Sequence, residues 1–515
     1  MIQWGVSIDS LPQDLDAAHD MIRRLSDALA VRDHEVERLS GIIKKLQRMQ
    51  FGKSAEKLDP DQLKLALDDL EVALAAAEAE GESATAASRG RRGPVKRGDL
   101  PAHLPRVEIV VDIDDKSCSC CGGALHVIGE DRSERLDVIP TQHRVLVTRR
   151  PKYGCRACEG AVLQAPAPAR LIESGLPTEA MIAHVLVSKY ADHLPLYRQW
   201  QILARQGIEI DRSCLAEWAG RGAWALKPVV ARMLEHLKRS DKLFCDETRA
   251  PVLDPGRGRT KTGYLWAIAR DDRPWGGPAP PGVVYTYAPG RGGEHALACL
   301  VGFHGVLQVD AYAAYNALAD RGGVKLAYCW AHLRRDFFDI AAGGNAPIAS
   351  EALQRIAALY AIEEKIRGRS ADERHAVRQT ETKPLIEALK TWLEQKLEIV
   401  AKRGRLGEAI RYGLTRWEGF TRFLDDGCIE IDYNIVERSI RPIALNRKNA
   451  LFAGSDEGGV AWGVVASLIE TCKLNGVEPH SYLADVLAKL ADRWPMSRID
   501  ELLPWAYIKP AAAVA

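Results

Sequence analysis

The stretch Lys242-Leu-Phe-Cys-Asp-Glu-Thr248 decides how the whole chain is read: a run of strand character leads directly into a carboxylate. The pattern recurs at Gly305-Val-Leu-Gln-Val-Asp310, so Asp246 and Asp310 each lie at the end or edge of a strand. Around them the sequence predicts strands over 243–248, 264–270 and 283–287, and a helix around 294–300. A fourth strand is expected over 305–310 and a fifth over 324–329. Three strands, a helix, a strand and then mixed αβ is the order of a ribonuclease-H-like fold. The segment 255–262, with Gly256, Gly258, Arg257, Arg259 and Lys261, reads as a loop near Asp246 that either touches phosphate or is simply solvated.

A third carboxylate stands in Asn434-Ile-Val-Glu-Arg-Ser-Ile-Arg-Pro442. Asp432 is a natural N-cap and Pro442 is expected to end the helix after about two and a half turns. Asn434, Glu437, Arg438 and Arg441 then share one face, while Val436, Ile440 and Ile443 can point inward. Taken alone, this is equally an exposed helix whose Glu and Arg pair with each other. Hard divalent cations take oxygen ligands from one or two carboxylates plus substrate phosphates, and paired ions stabilise the attacking and leaving oxygens of an in-line displacement. Asp246, Asp310 and Glu437 converging would meet that requirement. Arg334 and Arg335, in Cys329-Trp-Ala-His-Leu-Arg-Arg335, and Arg447-Lys448-Asn449 are candidates for holding phosphates beside Arg438, Arg441 and Asn434. His332 either positions a metal or water or is structural.

Upstream, Leu15, Ala18, Ile22, Leu25, Leu29, Val36, Leu39, Ile43 and Leu46 recur at steps of three and four, a coiled-coil stripe interrupted at Arg32. Leu63, Leu67, Leu70 and Leu74 repeat the spacing after Pro60, so the helices fold back as a hairpin or pair between chains. Cys118 with Cys121 and Cys155 with Cys158 make two CxxC knuckles able to close a structural four-thiolate zinc site, with Cys120 as a competing ligand for Cys118. Helices predicted over 179–190, 196–205 and 213–223, the last capped by Ser213, resemble a helix-turn-helix with a long turn.

The expected organisation is multidomain α+β. Residues 1–80 form a coiled-coil helical region, 81–100 a basic flexible linker, 101–165 the zinc module and 166–238 a helical DNA-binding region. The catalytic domain spans 239–340 and 429–472, split by an all-helical insertion over 341–428, and 473–515 form a helical tail. With 515 residues, 47% hydrophobic and 27% charged, the chain is ordinary globular material. A net charge of +1 excludes a uniformly basic DNA coat and requires locally concentrated Lys and Arg. No run of about eighteen apolar residues and no signal-peptide pattern is present, which suits a cytoplasmic protein with no membrane partner.

These phrases resemble the IS66 family of bacterial insertion-sequence transposases. The resemblance rests on the DET strand, Asp310-Ala-Tyr-Ala-Ala-Tyr-Asn316, Cys-Trp-Ala-His-Leu-Arg-Arg, Arg438-Ser-Ile-Arg-Pro-Ile-Ala-Leu445 and Leu451-Phe-Ala-Gly-Ser455. It extends to Phe51-Gly-Lys-Ser-Ala-Glu-Lys57, the cysteine module and the tail, with Ala311 standing where a glycine is common and Cys120 extra. The resemblance implies a DDE transposase with its triad at Asp246, Asp310 and Glu437, two Mg²⁺ or Mn²⁺ ions per site and DNA as partner. Self-association through the N-terminal coiled coil, accessory proteins of the same element and a nucleoid location are expected with it. The alternatives are a structure-selective nuclease or resolvase, and a catalytically silent DNA-binding regulator.

Overall fold

The structure, a computed structural model, describes residues 142–153, 162–173, 175–254, 259–320, 322–344, 346–401 and 403–508, with Arg106, Glu108 and Cys120 besides. The coiled-coil positions and all four expected zinc ligands lie outside these residues. The chain divides into two compact units, Met1–Pro166 and Ala167–Ala515. In the first, β1 (Lys152–Tyr153) and β2 (Leu163–Gln164) form a short antiparallel ribbon, and the Arg150 guanidinium donates to the Ala165 carbonyl.

The second unit begins with α1 (Glu179–Tyr190), capped by Thr178, then α2 (Leu196–Arg205) and α3 (Arg212–Leu237). The first two match their expected bounds. The third corrects its prediction: Asp211, not Ser213, is the cap, its carboxylate accepting from the Ser213 N–H, and the helix runs on through Pro228. Burial sustains that extension, since Leu226, Val229, Met233 and Leu237 are all fully inside. Gly222 allows the close crossing of α1, because a Cβ there would meet the Ile182 side chain at 2.8 Å.

A five-stranded sheet follows in the order β5, β4, β3, β6, β7. Its strands are β3 (Lys242–Asp254), β4 (Arg259–Arg270), β5 (Gly282–Ala288), β6 (Gly305–Val309) and β7 (Val324–Tyr328). The first three pair antiparallel, and β6 and β7 continue the sheet in parallel. The parallel crossovers contain α4 (Gly293–Cys299) and α5 (Asn316–Asp320). The hairpin of β3 and β4 reaches further than predicted, and the expected loop gives up Arg259 to Thr262 to β4. Ala250 and Val252 explain this, since both are fully buried on the strand's extension.

Helices then dominate: α6 (Trp330–Ala341), α7 (Pro347–Ile366), α8 (Ala371–Val377), α9 (Lys383–Ile399), α10 (Arg405–Thr415) and α11 (Trp417–Thr421). They build their own core around Trp330, Phe337, Ile356, Leu389, Ile410 and Phe420. The chain returns with α12 (Asn434–Ala450), α13 (Asp456–Leu474) and α14 (Pro479–Ala491) to the main core. Helix α13 closes the outer edge of β5: Ser467 Oγ accepts from the Tyr285 N–H, and Thr471 Oγ1 accepts from the Val283 N–H and donates to its carbonyl. An edge strand is thereby denied to other chains. Among the described residues no helix is long and apolar enough to cross a membrane.

Pro442 does not end α12, contrary to expectation. Proline removes the donor that the Arg438 carbonyl would use. The Ser439 carbonyl, one residue on, accepts from the buried Tyr285 hydroxyl at 2.5 Å, and Ile443 and Ala444 hold the continuing turn in the core.

Candidate active site

Strand register fixes the two aspartates. Parallel pairing matches Lys242 to Val306, Leu243 to Leu307 and Phe244 to Gln308. Carried further, the same offset brings Asp246 level with Asp310, on strands that a sheet spaces about 4.8 Å apart. Side-chain alternation puts Phe244 and Asp246 on one face of β3, and Gln308 with Asp310 on one face of β6.

Glu437 is brought to that neighbourhood through Gln308, which is 1% exposed. The Gln308 amide nitrogen donates to the carbonyls of Glu430 (2.9 Å) and Asp432 (3.4 Å), and its oxygen accepts from the Glu430 N–H (2.9 Å). The Trp330 N–H adds a bond to the Ile431 carbonyl. The face of β6 that carries Asp310 therefore also grips the segment entering α12. Asp432 caps that helix from one position further out than Tyr433, accepting from the Asn434 N–H and side-chain amide. Glu437 lies in the first turn, its side chain 25% exposed.

Asp246 feels the other two carboxylates. Burial, then the charges of Glu247, Asp310 and Glu437, push the Asp246 carboxyl well above the usual range, opposed by the Glu247 N–H at 2.8 Å. Asp310 is pushed up to about 6 by burial and by Glu247, with the Tyr312 N–H and the Arg291 guanidinium pulling the other way. The Tyr433 phenol is raised by burial first and then by Asp246, Cys329, Asp310 and Glu437, so it stands within electrostatic reach of the whole trio. Among the described residues no three His, Cys, Asp or Glu side chains are drawn together tightly enough to hold a metal ion by themselves.

Several site residues escaped the sequence reading. Glu247, its side chain only 2% exposed, accepts from Arg291 Nε at 2.7 Å and from the Tyr315 hydroxyl at 3.0 Å. Arg291 also lies 4.0 Å over the Tyr312 ring. Glu247 was visible beside Asp246 in the same phrase, whereas Arg291, between glycines, carried no signal. His332 stacks on Tyr433 at 5.1 Å, with its Nε2 3.2 Å from the Tyr433 hydroxyl. Its buried Nδ1 has no hydrogen-bond partner and lies 3.9 Å from Glu437 Oε1. Burial lowers the pKa of His332, and Glu437 opposes that shift.

The expected phosphate-binding residues separate into two groups. Arg438 and Arg441 are exposed on α12, and Arg334 and Arg335 are exposed on α6. Asn434 is engaged by Asp432, and Arg447 Nη1 donates to Thr248 Oγ1 (3.2 Å) and the Arg249 carbonyl (2.6 Å), tying α12 to β3. Lys448 is half-buried and Cys120 is exposed.

The family model described as transposase IS66 family matches residues 174–461, and its C-terminal element matches 467–505. The zinc-finger binding domain of transposase IS66 matches 115–159, and the model described as transposase C of IS166 homeodomain matches 38–109. Among curated proteins, the uncharacterized protein y4qI of Sinorhizobium fredii is 44% identical over 97% of this chain and 94% of its own length. A second uncharacterized protein of that organism, y4jD, is 43% identical over 96% of this chain and 97% of its own.

Proposed function

Because the chain belongs to the IS66 family of transposases, we propose that it is the DNA transposase of an insertion sequence, cutting the ends of the element and joining the freed 3′ hydroxyls to target DNA. The observation that carries this reading is the β3 and β6 register, which sets Asp246 level with Asp310 on the face that holds the approach to Glu437. The strand order supports a ribonuclease-H-like catalytic core, with three antiparallel strands extended by two parallel ones.

A carboxyl at Asp246 that burial and the neighbouring charges of Glu247, Asp310 and Glu437 push up fits a divalent cation, since a positive charge relieves both the burial and the repulsion. Asp246 would hold two ions, with Asp310 and Glu437 each completing one, and DNA phosphates and water would supply the remaining oxygens. Bound there, Mg²⁺ or Mn²⁺ supplies Lewis-acid activation of the attacking oxygen and stabilisation of the leaving one. His332, stacked on Tyr433, stands beside Glu437 with its Nδ1 3.9 Å from Oε1. Arg438, Arg441, Arg334 and Arg335 present guanidinium groups to phosphates around the carboxylates. Arg447 keeps α12 against the strand that carries Asp246.

The zinc-finger match over 115–159 supports a structural zinc held by Cys118, Cys121, Cys155 and Cys158. The helices ahead of the sheet and the basic linker would contact DNA, and the N-terminal heptads would pair protomers. A nucleoid location follows from DNA as partner.

The test is incubation of the purified chain with labelled element ends, target plasmid and Mg²⁺ or Mn²⁺. Covalent joining of ends to target is expected. Cleavage without joining would replace the reading by a nuclease or resolvase. Binding with neither reaction would leave a DNA-binding regulator.

A further inference from the structure

The phrase Leu451-Phe452 follows α12 and has no part in holding the carboxylates. Both side chains face solvent, Leu451 at 64% and Phe452 at 43% exposure. Single exposed apolar residues are ordinary surface. These two are adjacent, and the backbone that presents them is strained: Leu451 has φ 64 and ψ −55, outside the left-handed helical region. The Phe452 N–H donates to the Ala450 carbonyl at 2.7 Å, closing a γ-turn of the uncommon positive-φ kind. A γ-branched side chain is poorly suited to that conformation, where glycine would rest without cost.

Such strain persists only where the surroundings over-determine it, and it concentrates at ligand clamps and functional turns. The surroundings here do so from both sides. The Leu451 N–H donates to the Arg447 carbonyl, the Ala453 N–H to the Pro251 carbonyl, and the Leu253 N–H to the Ala453 carbonyl. The turn is thus a rigid tip clamped between the end of α12 and the outer part of β3. Exposed cations lie on the same two elements, Arg441 about 15 Å back along α12 at ~1.5 Å per residue and Arg249 and Arg259 on the β3 and β4 hairpin whose Val252 bridges to Ala453.

We propose that Leu451 and Phe452 form an apolar wedge that enters the base stack of duplex DNA lying along α12. This rests on the reading of the chain as a DNA-cutting and joining enzyme. Apolar side chains inserted between base steps kink a duplex, and flanking cations hold the phosphates while stacking is lost. The distance sets where the wedge acts. From Asp246 to Val252, which bridges to Ala453, β3 covers about 20 Å at ~3.3 Å per residue. From Glu437 to Leu451, α12 covers about 21 Å at ~1.5 Å per residue. Either path amounts to about six base pairs at ~3.4 Å each. The unstacked step therefore lies within about that distance of the bond being cut, where distortion lets the strand bend into the carboxylates.

The experiment uses the full chain carrying Asp246→Asn, so that bound DNA stays intact. The probe is a duplex copied from the boundary of the DNA segment that encodes the chain, with 2-aminopurine placed at successive steps. On binding, fluorescence should rise severalfold at one or two adjacent steps. Adding Leu451→Ala and Phe452→Ala should abolish the rise while weakening binding by less than ~10-fold, because phosphate contacts carry most of the affinity. Leu451→Gly should lose part of the signal with a Tm no lower than the parent's, because glycine accepts the positive φ; that combination separates a wedge from a structural turn. An equal rise with and without the two side chains, or no rise at any step in bound DNA, overturns the wedge. A change of oligomeric state in the variant with fluorescence unaltered assigns the pair to protein contact and overturns it as well. Failure of the parent to bind the duplex at all overturns the underlying functional reading, and the wedge with it.

Discussion

Asp246 and Asp310 reach the candidate site by one kind of physics and Glu437 by another. The aspartates sit on neighbouring strands, and the ladder that pairs Phe244 with Gln308 sets their level. Glu437 arrives after the chain has passed through α7 to α11, and buried polar contacts hold it near the sheet. Glu430 takes the Gln308 amide with its backbone and the Arg374 guanidinium (2.8 Å) with its side chain. Arg378 pairs with Glu363 at 2.7 Å and donates to the carbonyls of Phe423 and Asp426. Arg374 and Arg378 are 1% and 0% exposed. A ladder tolerates distant change, whereas buried charges hold a geometry only while each keeps its partner. One pair of carboxylates is therefore robustly placed, and the third depends on helices α7 to α11.

Breaking the robust half should have the largest effect on chemistry and little on folding. Asp246→Asn is expected to lower end cleavage by at least ~10³-fold, about 4 kcal/mol of barrier. Its Tm should not fall, because the substitution removes a charge that burial and like neighbours already disfavour. Thermal unfolding beside a cleavage assay reads both, and a fall in Tm would show the carboxylate to be structural.

Breaking the dependent half should act through folding. Arg378→Met leaves the buried Glu363 carboxylate with Arg374 alone, at 3.7 Å, and should cost somewhat less than the ~3–5 kcal/mol of a fully broken buried pair. Denaturant unfolding should show that loss, with cleavage falling alongside it. Unchanged stability would mean that the insertion does not hold the returning segment.

Gln308→Leu probes the joint between the halves. It leaves the Glu430 N–H and the carbonyls of Glu430 and Asp432 without their partner, at about 1–3 kcal/mol. Loosened support of a ligand typically costs ~10–100-fold in activity. That loss should appear in kcat with KM for DNA unchanged, because Arg438, Arg441, Arg334 and Arg335, the proposed phosphate contacts, are untouched. Tyr433→Phe should be the mildest change, about 0.5–1.5 kcal/mol for the hydroxyl near His332 Nε2, visible as a small shift in the unfolding midpoint.

The same contrast explains what could be read from the sequence. Leu243 to Cys245 and Val306 to Val309 announce buried strands by composition, so β3 and β6 were legible, as were α1 and α2 to the residue; Asp310 follows the end of β6 as expected, whereas Asp246, expected at a strand end or edge, lies inside the central strand β3. Local pattern misjudged the points where tertiary packing overrides it. Pro442 reads as a stop, yet buried Ile443 and Ala444 carry the helix on, with the Tyr285 hydroxyl from a distant strand bonded to the Ser439 carbonyl beside it. Thr248 reads as a strand end, yet Ala250 and Val252 find cover further on. Gln308, Glu430, Arg374 and Arg378 carry no motif, because a long-range buried network has no period along the chain. The heptads and the cysteine knuckles were legible as patterns, and they fall outside the described residues.

The most direct test of the central claim is the number of Mn²⁺ ions bound by the chain on element-end DNA, counted by electron paramagnetic resonance titration. The parent protein should bind two per site, and Asp246→Asn, Asp310→Asn and Glu437→Gln should each bind fewer. Equal stoichiometry and affinity in all four proteins would contradict a shared role for the three carboxylates.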